Sequence, residues 1–351
     1  MDRWVEPVGI LQGRAAEEAI QADLALPLAG GPAAFCMVRL IGPGAPAAAL
    51  ALGDVPEPWR DAALALARPP AAFLGLPEER PLVMGIVNVT PDSFSDGGRH
   101  FDPGAAVAAG HAMLEAGADL LDVGGESTRP GAVPVPPKEE VRRVVPVIRE
   151  LAKATTVSVD TRSAAIMRAA IEAGAEIVND VSALRHDPEA MGVVARSEVG
   201  VVLMHMLGDD PRTMQADPRY GDVAVEVARF LAARVAACEA AGIPRDRIAV
   251  DPGIGFGKRA AHNLELVDRL PILHGIGCAV VFGASRKRFI GDLTGEEVPA
   301  GRVIGSVAAA LAAAARGARV LRVHDVAETV QALAVMRACD SAGVDEGEAE
   351  G

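Results

Sequence analysis

Eight apolar runs of strand length alternate along the chain with Ala-rich stretches of helical length. Such a run, stopped by polar residues, is typical of a strand buried on both faces, the usual state of a parallel sheet. The alternation favours parallel pairing, because each helical crossover returns the chain to the same end of the sheet. The first run lies at 82–89, and the second ends at Asp122. The other six lie at 156–161, 177–181, 200–205, 248–253, 278–285 and 318–325. The helical stretches lie at 103–116, 138–152, 163–173, 187–197, 222–241, 260–269, 302–316 and 326–339.

This pattern predicts an α/β fold, a (β/α)8 TIM barrel with a small N-terminal accessory segment. A span of about 260 residues matches the usual length of one such barrel. Polar side chains follow the runs where they end, and the carboxyl ends of the strands form the catalytic face of this fold. We therefore expect these side chains to meet in space. They are Asn88, Asp92, Asp96, Asp122, Thr128, Arg129, Asp160, Asn179, Asp251, Ser285, Lys287, Arg322 and His324.

The chain divides into three parts. Residues 1–78 are rich in Pro and Gly, with a short strand-like run at 35–41 and a possible helix at 59–67, and their role is open. Residues 79–341 form the barrel, and the acidic tail 342–351 is expected to be disordered. The first part is expected to fold either against the N-terminal face of the barrel or against a partner.

Composition excludes several classes of function. A net charge of −13 argues against a nucleic-acid surface, which needs a clustered positive field. The four cysteines have no zinc spacing, and the N-terminus has no apolar run of signal-peptide length. The longest apolar stretch, 303–315, is interrupted and too short to span a bilayer. We expect a cytoplasmic protein with no membrane partner and with thiols kept reduced.

Three polar residues that end buried runs point to a heterocycle. Asp160, Asn179 and Asp251 must find partners or suffer the cost of desolvation. Backbone N–H groups of a neighbouring loop could satisfy any one of them. Three that converge fit better with a planar ring that has a guanidine-like edge.

Two further motifs indicate anion chemistry and close backbone approach. The segment 253–258 is not a phosphate loop, since Pro252 replaces the first Gly and Arg259 replaces the Ser or Thr. Its glycines would let the backbone approach a ligand, with Phe256 packing on that ligand or simply in the core. The basic cluster 285–288 opens a helix, where an anion is favoured and like charge is not, and such a local conflict indicates function. Arg322 and His324 alternate on a strand and so share one face.

Taken in order, these motifs resemble the dihydropteroate synthases of the folate pathway over about residues 80–340. They are Asn88-Val-Thr-Pro-Asp-Ser-Phe-Ser-Asp-Gly-Gly98, Gly124-Gly-Glu-Ser-Thr-Arg-Pro130, Asp251-Pro-Gly-Ile-Gly-Phe-Gly-Lys258, Ser285-Arg-Lys287 and Arg322-Val-His324. The resemblance implies a transferase that joins 6-hydroxymethyl-7,8-dihydropterin diphosphate to p-aminobenzoate, giving 7,8-dihydropteroate and pyrophosphate. It also implies Mg²⁺ at Asn88 and inhibition by sulfonamides.

The resemblance assigns roles by position. It implies a pterin site formed by Asp160, Asn179, Met204, Asp251, Phe256, Lys287 and Arg322. It implies a pyrophosphate site formed by Asn88, Asp122, Thr128, Arg129, Arg322 and His324. It implies a p-aminobenzoate site formed by Phe94, Thr128, Pro130, Phe256 and Ser285. The catalytic set would be Asp96, Arg129, Lys287, Arg322 and His324. Met204 could instead be a core methionine.

Some alternatives stay open at this point. Arg288 stands where many members of the family have a Ser proposed to contact the aminobenzoate carboxylate, so that partner is undecided. The Ala-rich late helices could form the face of a homodimer, which we expect, or could be ordinary barrel cover. Two rival functions are a corrinoid-dependent methyltransferase, which has no use for the pyrophosphate motifs, and a non-enzymatic pterin-binding paralogue.

Overall fold

Eight parallel strands close into a single barrel in the computed structural model, which describes residues 3–89, 102–126, 135–209 and 213–342. Before the barrel come six elements: β1 (Trp4–Leu11), α1 (Gly13–Gln21), β2 (Leu26–Pro27), β3 (Ala34–Ile41), β4 (Leu50–Ala51) and α2 (Glu57–Ala65). The barrel strands are β5 (Leu82–Asn88), β6 (Leu120–Gly124), β7 (Thr156–Asp160), β8 (Ile177–Asp180), β9 (Gly200–Met204), β10 (Ile248–Asp251), β11 (Ala279–Phe282) and β12 (Val320–Val323). They pair in chain order, and β12 returns to pair with β5. The predicted (β/α)8 fold is confirmed.

Helices surround the barrel between its strands. They are α3 (Pro103–Glu115), α4 (Pro137–Leu151), α5 (Ala164–Glu172), α6 (Ala190–Ala195), α7 (Val223–Ala240), α8 (Ala260–Asp268), α9 (Arg288–Thr294), α10 (Val303–Ala314) and α11 (Val326–Ser341). Eight of them coincide with the predicted helical stretches to within a few residues. The short α9 begins at Arg288, where the basic cluster 285–288 was expected to open a helix, although its seven residues are too few to give a periodic signal of their own.

The strands are buried on both faces, which places two layers of core around the barrel wall. Successive side chains point to opposite sides, so Val83 packs outward against the helices while Leu82 and Met84 point into the barrel. The inward apolar residues fill the N-terminal end of the barrel. The opposite, C-terminal end carries the polar side chains of the site.

The N-terminal segment forms an antiparallel sheet with its own small core. The order of its strands is β1-β3-β2, with β4 pairing on β3. Phe35, Val38 and Trp59 are buried in that core, and β3 covers the strand run expected at 35–41. The helix α2 lies close to the helix expected at 59–67. The domain boundary at 78/79 remains a prediction.

Three contacts fasten this segment to the N-terminal end of the barrel. Glu6 is buried and accepts from Arg269 Nε at 2.7 Å, just after α8. Gln12 Nε2 donates to the carbonyl of Ala315 at 2.6 Å. Phe73, in a 3-10 turn before β5, packs beneath the inward apolar residues of the barrel. The side chain of Phe73 therefore closes the end of the barrel opposite the site.

In the described part of the chain no single helix is long and apolar enough to cross a membrane. The pair formed by α9 and the segment Pro299–Ala314, which are bent by 80° relative to each other, has the length and composition of a span. The predicted disordered tail lies outside the described residues, apart from Ala342.

Candidate active site

A buried cluster of charges centred on Arg322 occupies the C-terminal end of the barrel. Arg322 on β12 donates from Nε to Asp122 Oδ2 at 2.5 Å and from Nη2 to Asp160 Oδ2 at 2.8 Å. Asn179 Nδ2 donates to the same Asp122 oxygen at 3.1 Å. Asp160 and Asn179 are neighbours in register on β7 and β8. Four residues predicted for the site therefore form one connected network.

Burial and charge set the protonation of this network. Burial raises the pKa of Asp160 to about 7, although Arg322 lowers it in part. Burial also raises the pKa of Asp251 at the end of β10. For Arg322, burial acts to lower the pKa, but Asp122 and Asp160 outweigh it and the net pKa is raised. A permanent cation thus sits near Asp160 and Asp251, two carboxyl groups whose pKa values burial raises.

Lys287 approaches the charge cluster around Arg322 from the loop after β11. Its Nζ donates to the carbonyl of Ile254 at 2.5 Å and lies 4.9 Å from the centre of the Phe256 ring. Burial lowers the pKa of Lys287 to about 8, against the opposing effect of Asp251. The Lys287 cation, the Phe256 ring and the Asp251 carboxylate thus lie together, and we call the space that they border the recess.

The glycine loop, residues 252–258, forms one side of that recess. Gly253, Gly255 and Gly257 have φ of +67°, +82° and +66°. A Cβ at Gly253 would lie 1.9 Å from the carbonyl oxygen of His205, so no larger residue fits there. Gly253 N donates to Asp251 Oδ1 at 2.6 Å, which fixes that carboxylate at the start of the loop.

An apolar wall completes the recess. Met204 on β9 is buried in a cluster with Val181, Met206 and Met214, and the half-buried ring of Phe256 packs against it. Met204 is the register neighbour of Asp251. Both the ligand-wall and the core interpretations of Met204 are compatible with this position.

A second group of predicted residues meets where β5 adjoins β12. The imidazole of His324 lies with Nε2 3.5 Å from Asn88 Nδ2 and with Nδ1 3.0 Å from Ser285 Oγ. The backbone N–H of His324 also donates to Ser285 Oγ at 3.1 Å. Asn88, Ser285 and His324 therefore form one polar edge of the cavity mouth.

The basic cluster 285–288 divides once its side chains are placed. Arg286, with φ of +58°, turns away to a two-bond ion pair with Asp325, with distances of 3.1 and 2.5 Å. The Arg288 side chain is 90% exposed and lies 3.6 Å from Asp292. Lys287, which is half-buried, is the one of the three cations that turns toward Phe256 and Asp251. The unfavourable charge at the start of the helix is thus neutralised at Arg286 by Asp325 and solvated at Arg288.

Asp122 occupies a different place from the one its predicted pyrophosphate role suggests. It is fully buried, and Arg322 and Asn179 take one of its oxygens. The other oxygen, Oδ1, has no hydrogen-bond partner among the residues that the structure describes. In this position Asp122 contacts Arg322, and its pyrophosphate role stays a prediction.

Six residues predicted for the site lie outside the described residues, namely Asp92, Phe94, Asp96, Thr128, Arg129 and Pro130. Two functional neighbours were not singled out from sequence, namely Asp325 and Lys258. Asp325 directly follows His324, and Lys258 ends the glycine motif. The sequence signal that could have identified each one is its position beside a recognised residue.

No group of three or more His, Cys, Asp or Glu residues suited to a metal ion occurs within the described ranges. A metal held mainly by substrate oxygens needs few protein ligands. The carbonyl oxygen of Asn88, at the cavity mouth, is a hard donor of the kind that Mg²⁺ prefers.

Comparison with known proteins identifies the family of the chain. The family model described as pterin binding enzyme matches residues 84–324. A dihydropteroate synthase of Neisseria meningitidis serogroup C is 51% identical over 261 residues, covering 73% of this chain and 91% of the relative. A Xanthomonas albilineans dihydropteroate synthase solved with 4-aminobenzoic acid is 57% identical, with a TM-score of 0.71, covering 75% of this chain and 94% of that one. The structure of the same organism's enzyme with 7,8-dihydropteroate gives 53% identity and a TM-score of 0.70, covering 78% and 99%. The chain therefore belongs to the pterin-binding enzymes and, within them, to the dihydropteroate synthase family.

Proposed function

We propose that this dihydropteroate synthase condenses 6-hydroxymethyl-7,8-dihydropterin diphosphate with p-aminobenzoate, releasing pyrophosphate, at the recess between Arg322 and the glycine loop. One observation carries this assignment to residues: Asp160, Asn179, Asp251 and Lys287 all border a single polar recess with an aromatic side. A pterin ring offers the N–H donors and acceptors that such a set can bind. A site built this way rejects a ligand that lacks a partner group by about 10⁴-fold.

The carboxyl groups would do most of the work on the ring. Ionised Asp160 and Asp251 accept from the guanidine-like edge, and their negative charge stabilises positive charge that develops on the pterin as the C–O bond breaks. Lys287 donates to the ring from the opposite side. Met204 and Phe256 flank its faces, and Asn179 holds Asp122 so that Arg322 keeps its orientation.

An arylamine is a weak nucleophile, so the enzyme must chiefly assist departure of pyrophosphate. His324 and Asn88 line the cavity mouth where the diphosphate would extend. Arg322 adds its charge from below, and Arg129 and Thr128 are proposed to join it on the strength of the family motif. Asn88 would contribute one ligand to Mg²⁺, which when bound supplies charge neutralisation on the diphosphate oxygens.

The aminobenzoate would lie between the pterin and the turn at Ser285. Its ring would contact Phe256 and, by the family motif, Phe94 and Pro130. Its carboxylate would approach Ser285 or neighbouring backbone donors. Arg288 is a poor candidate for this contact, because its side chain is nearly fully exposed and lies near Asp292. Asp96 is proposed to act on the substrates from the segment that follows β5.

Two broader proposals accompany this one. The face that carries Leu293, Val298 and Ile304 exposes large apolar side chains, 85% in the case of Ile304, and supports a homodimer through α9 and α10. Size-exclusion chromatography with light scattering on an Ile304→Glu variant would test it. All four cysteines are free thiols, which supports a reducing, cytoplasmic location.

The decisive experiment is to incubate the purified protein with the pterin diphosphate and p-aminobenzoate and to measure both pyrophosphate and dihydropteroate. Equal release of both products supports the proposal. Binding of the pterin without turnover would favour the non-enzymatic paralogue. Methyl transfer from a methyl folate to a corrinoid, without pyrophosphate release, would favour the methyltransferase.

A further inference from the structure

Side chains hold every backbone carbonyl of five consecutive residues in the glycine loop. Alternating positive φ at its glycines prevents regular secondary structure, so these carbonyls have no ladder to join. The donors are Lys258 to Gly253 O, Lys287 to Ile254 O, Gln215 to Gly255 O, Lys258 to Phe256 O and Tyr220 to Gly257 O. Besides the turn bond from Phe256 N to Gly253 O and the bond from Gly255 N to Asn263 Oδ1, the loop is therefore held by these four side chains.

Lys258 is the member of this set that is most deeply buried and makes the most contacts. It is 4% exposed, and its Nζ lies 2.9 Å from Gly253 O, 3.1 Å from Phe256 O and 2.9 Å from His205 Nδ1. Burial lowers the pKa of His205 to about 2, so the ring is neutral and its Nδ1 can accept a hydrogen bond. Burial also lowers the pKa of Lys258 well below its usual range, and a fourth acceptor, the carbonyl of His205, lies 3.4 Å from its Nζ.

The two lysines grip the loop in different ways. Lys287 holds one carbonyl, that of Ile254, and it is also the side chain proposed to donate to the pterin. Its ammonium group has three donors, so it can hold this carbonyl and still donate to the pterin. Lys258 holds the carbonyls on either side, those of Gly253 and Phe256, and its buried Nζ contacts the protein only.

We propose that Lys258 is a positioning residue, which keeps the glycine loop, and with it Phe256 and Asp251, in place while Lys287 engages the substrate. The inference rests on the proposed function. Its consequence is specific: without Lys258 the Phe256 ring and the Asp251 carboxylate lose their fixed distance, although neither side chain is changed. A displacement of about 1 Å in such a site can cost about 10²-fold in rate.

The test is steady-state kinetics of Lys258→Met with a matched control, Arg247→Met. Arg247 is also a buried cation that donates to two backbone carbonyls, those of Val199 and Val194, each at 2.8 Å, but at the opposite end of the barrel. Both variants should lower the melting temperature. Lys258→Met alone should lower kcat per folded molecule by about 10–100-fold and raise the KM for p-aminobenzoate.

If Lys258→Met does not fold, Lys258→Arg provides a second test. Arginine keeps a basic side chain at this position but places its N–H donors elsewhere. This variant should keep most of the melting temperature and still raise the KM for p-aminobenzoate. The inference is overturned if folded Lys258→Met has wild-type kcat and KM, if its losses match those of Arg247→Met, or if Lys258→Met does not fold while Lys258→Arg is kinetically wild type. Absence of turnover in the wild-type protein would instead reject the proposed function.

Discussion

Arg322 and Asp122 form an ion pair inside the barrel, with Nε 2.5 Å from Oδ2, although 200 residues separate them in the chain. Asp122 is fully buried and Arg322 mostly so. The pair joins β12 to β6 across the closed barrel, and Asp160 shares the same guanidinium. The ion pair thus fixes the guanidinium of Arg322, which is proposed to act on the diphosphate.

Replacing Arg322 by Met should destabilise the fold as well as abolish turnover. Two buried carboxyl groups lose their counter-charge, a loss that typically costs about 3–5 kcal/mol in the free energy of unfolding. The double variant Arg322→Met/Asp122→Asn should recover part of that free energy without recovering activity. Urea denaturation of the wild type, both single variants and the double variant measures the coupling, and an unchanged unfolding free energy in Arg322→Met would contradict the prediction.

The pH dependence of kcat/KM for the pterin diphosphate should have two limbs. Burial raises the pKa of Asp160 to about 7 and lowers that of Lys287 to about 8. The ring needs the ionised carboxylate and the protonated amine, so kcat/KM rises with pH through about 7 and falls above about 8. In Lys287→Arg the charge persists, and the alkaline limb should vanish. If the alkaline limb of Lys287→Arg stays at the same pH, it belongs to another group.

Sulfonamides imitate p-aminobenzoate and should inhibit competitively with it. Because the Phe256 ring is proposed to lie against the shared benzene ring, Phe256→Ala should raise the KM for p-aminobenzoate and the inhibition constant together, by about 10-fold. Substitution of Phe94 or Pro130, which the family motif places against drug atoms outside the substrate envelope, should raise the inhibition constant more than the KM. Inhibition that is noncompetitive with p-aminobenzoate would exclude a shared site.

Chelation should stop turnover, and Asn88→Ala should lower kcat more than it weakens pterin binding. The reason is that Asn88 lies at the cavity mouth with His324, away from the groups proposed to hold the ring. Calorimetry of pterin binding and steady-state rates, each with and without added Mg²⁺, separate the two effects. Full turnover in excess chelator would remove the metal from the proposal.

Shortening the N-terminus should affect stability and leave the chemistry intact. A protein that starts at Pro70 keeps Phe73 beneath the barrel, whereas one that starts at Glu79 loses it. Burial of such a side chain contributes about 1.5–3 kcal/mol, so the shorter protein should melt at a lower temperature. Both should retain kcat. A well-folded truncated protein without activity would show that the N-terminal segment reaches the active site.

The periodic part of this structure could be read from the sequence. Apolar runs of strand length, Ala-rich helical stretches and polar residues at the strand ends are local patterns, and each follows from burial of an element on known faces. In a barrel the carboxyl ends of the strands must converge, so the cluster of Asp160, Asn179 and Arg322 was predictable as a group.

The tertiary structure decided which polar residues contact each other and which way neighbouring side chains turn. In the motif at 285–288 the sequence shows three equivalent cations, but packing directs Arg286 to Asp325, leaves Arg288 in solvent and turns the half-buried Lys287 toward Phe256. The same holds for Lys258, whose acceptors are carbonyls exposed by the φ values of a loop. Such contacts depend on three-dimensional distance between groups whose spacing along the chain has no period, and only the folded chain fixes that distance.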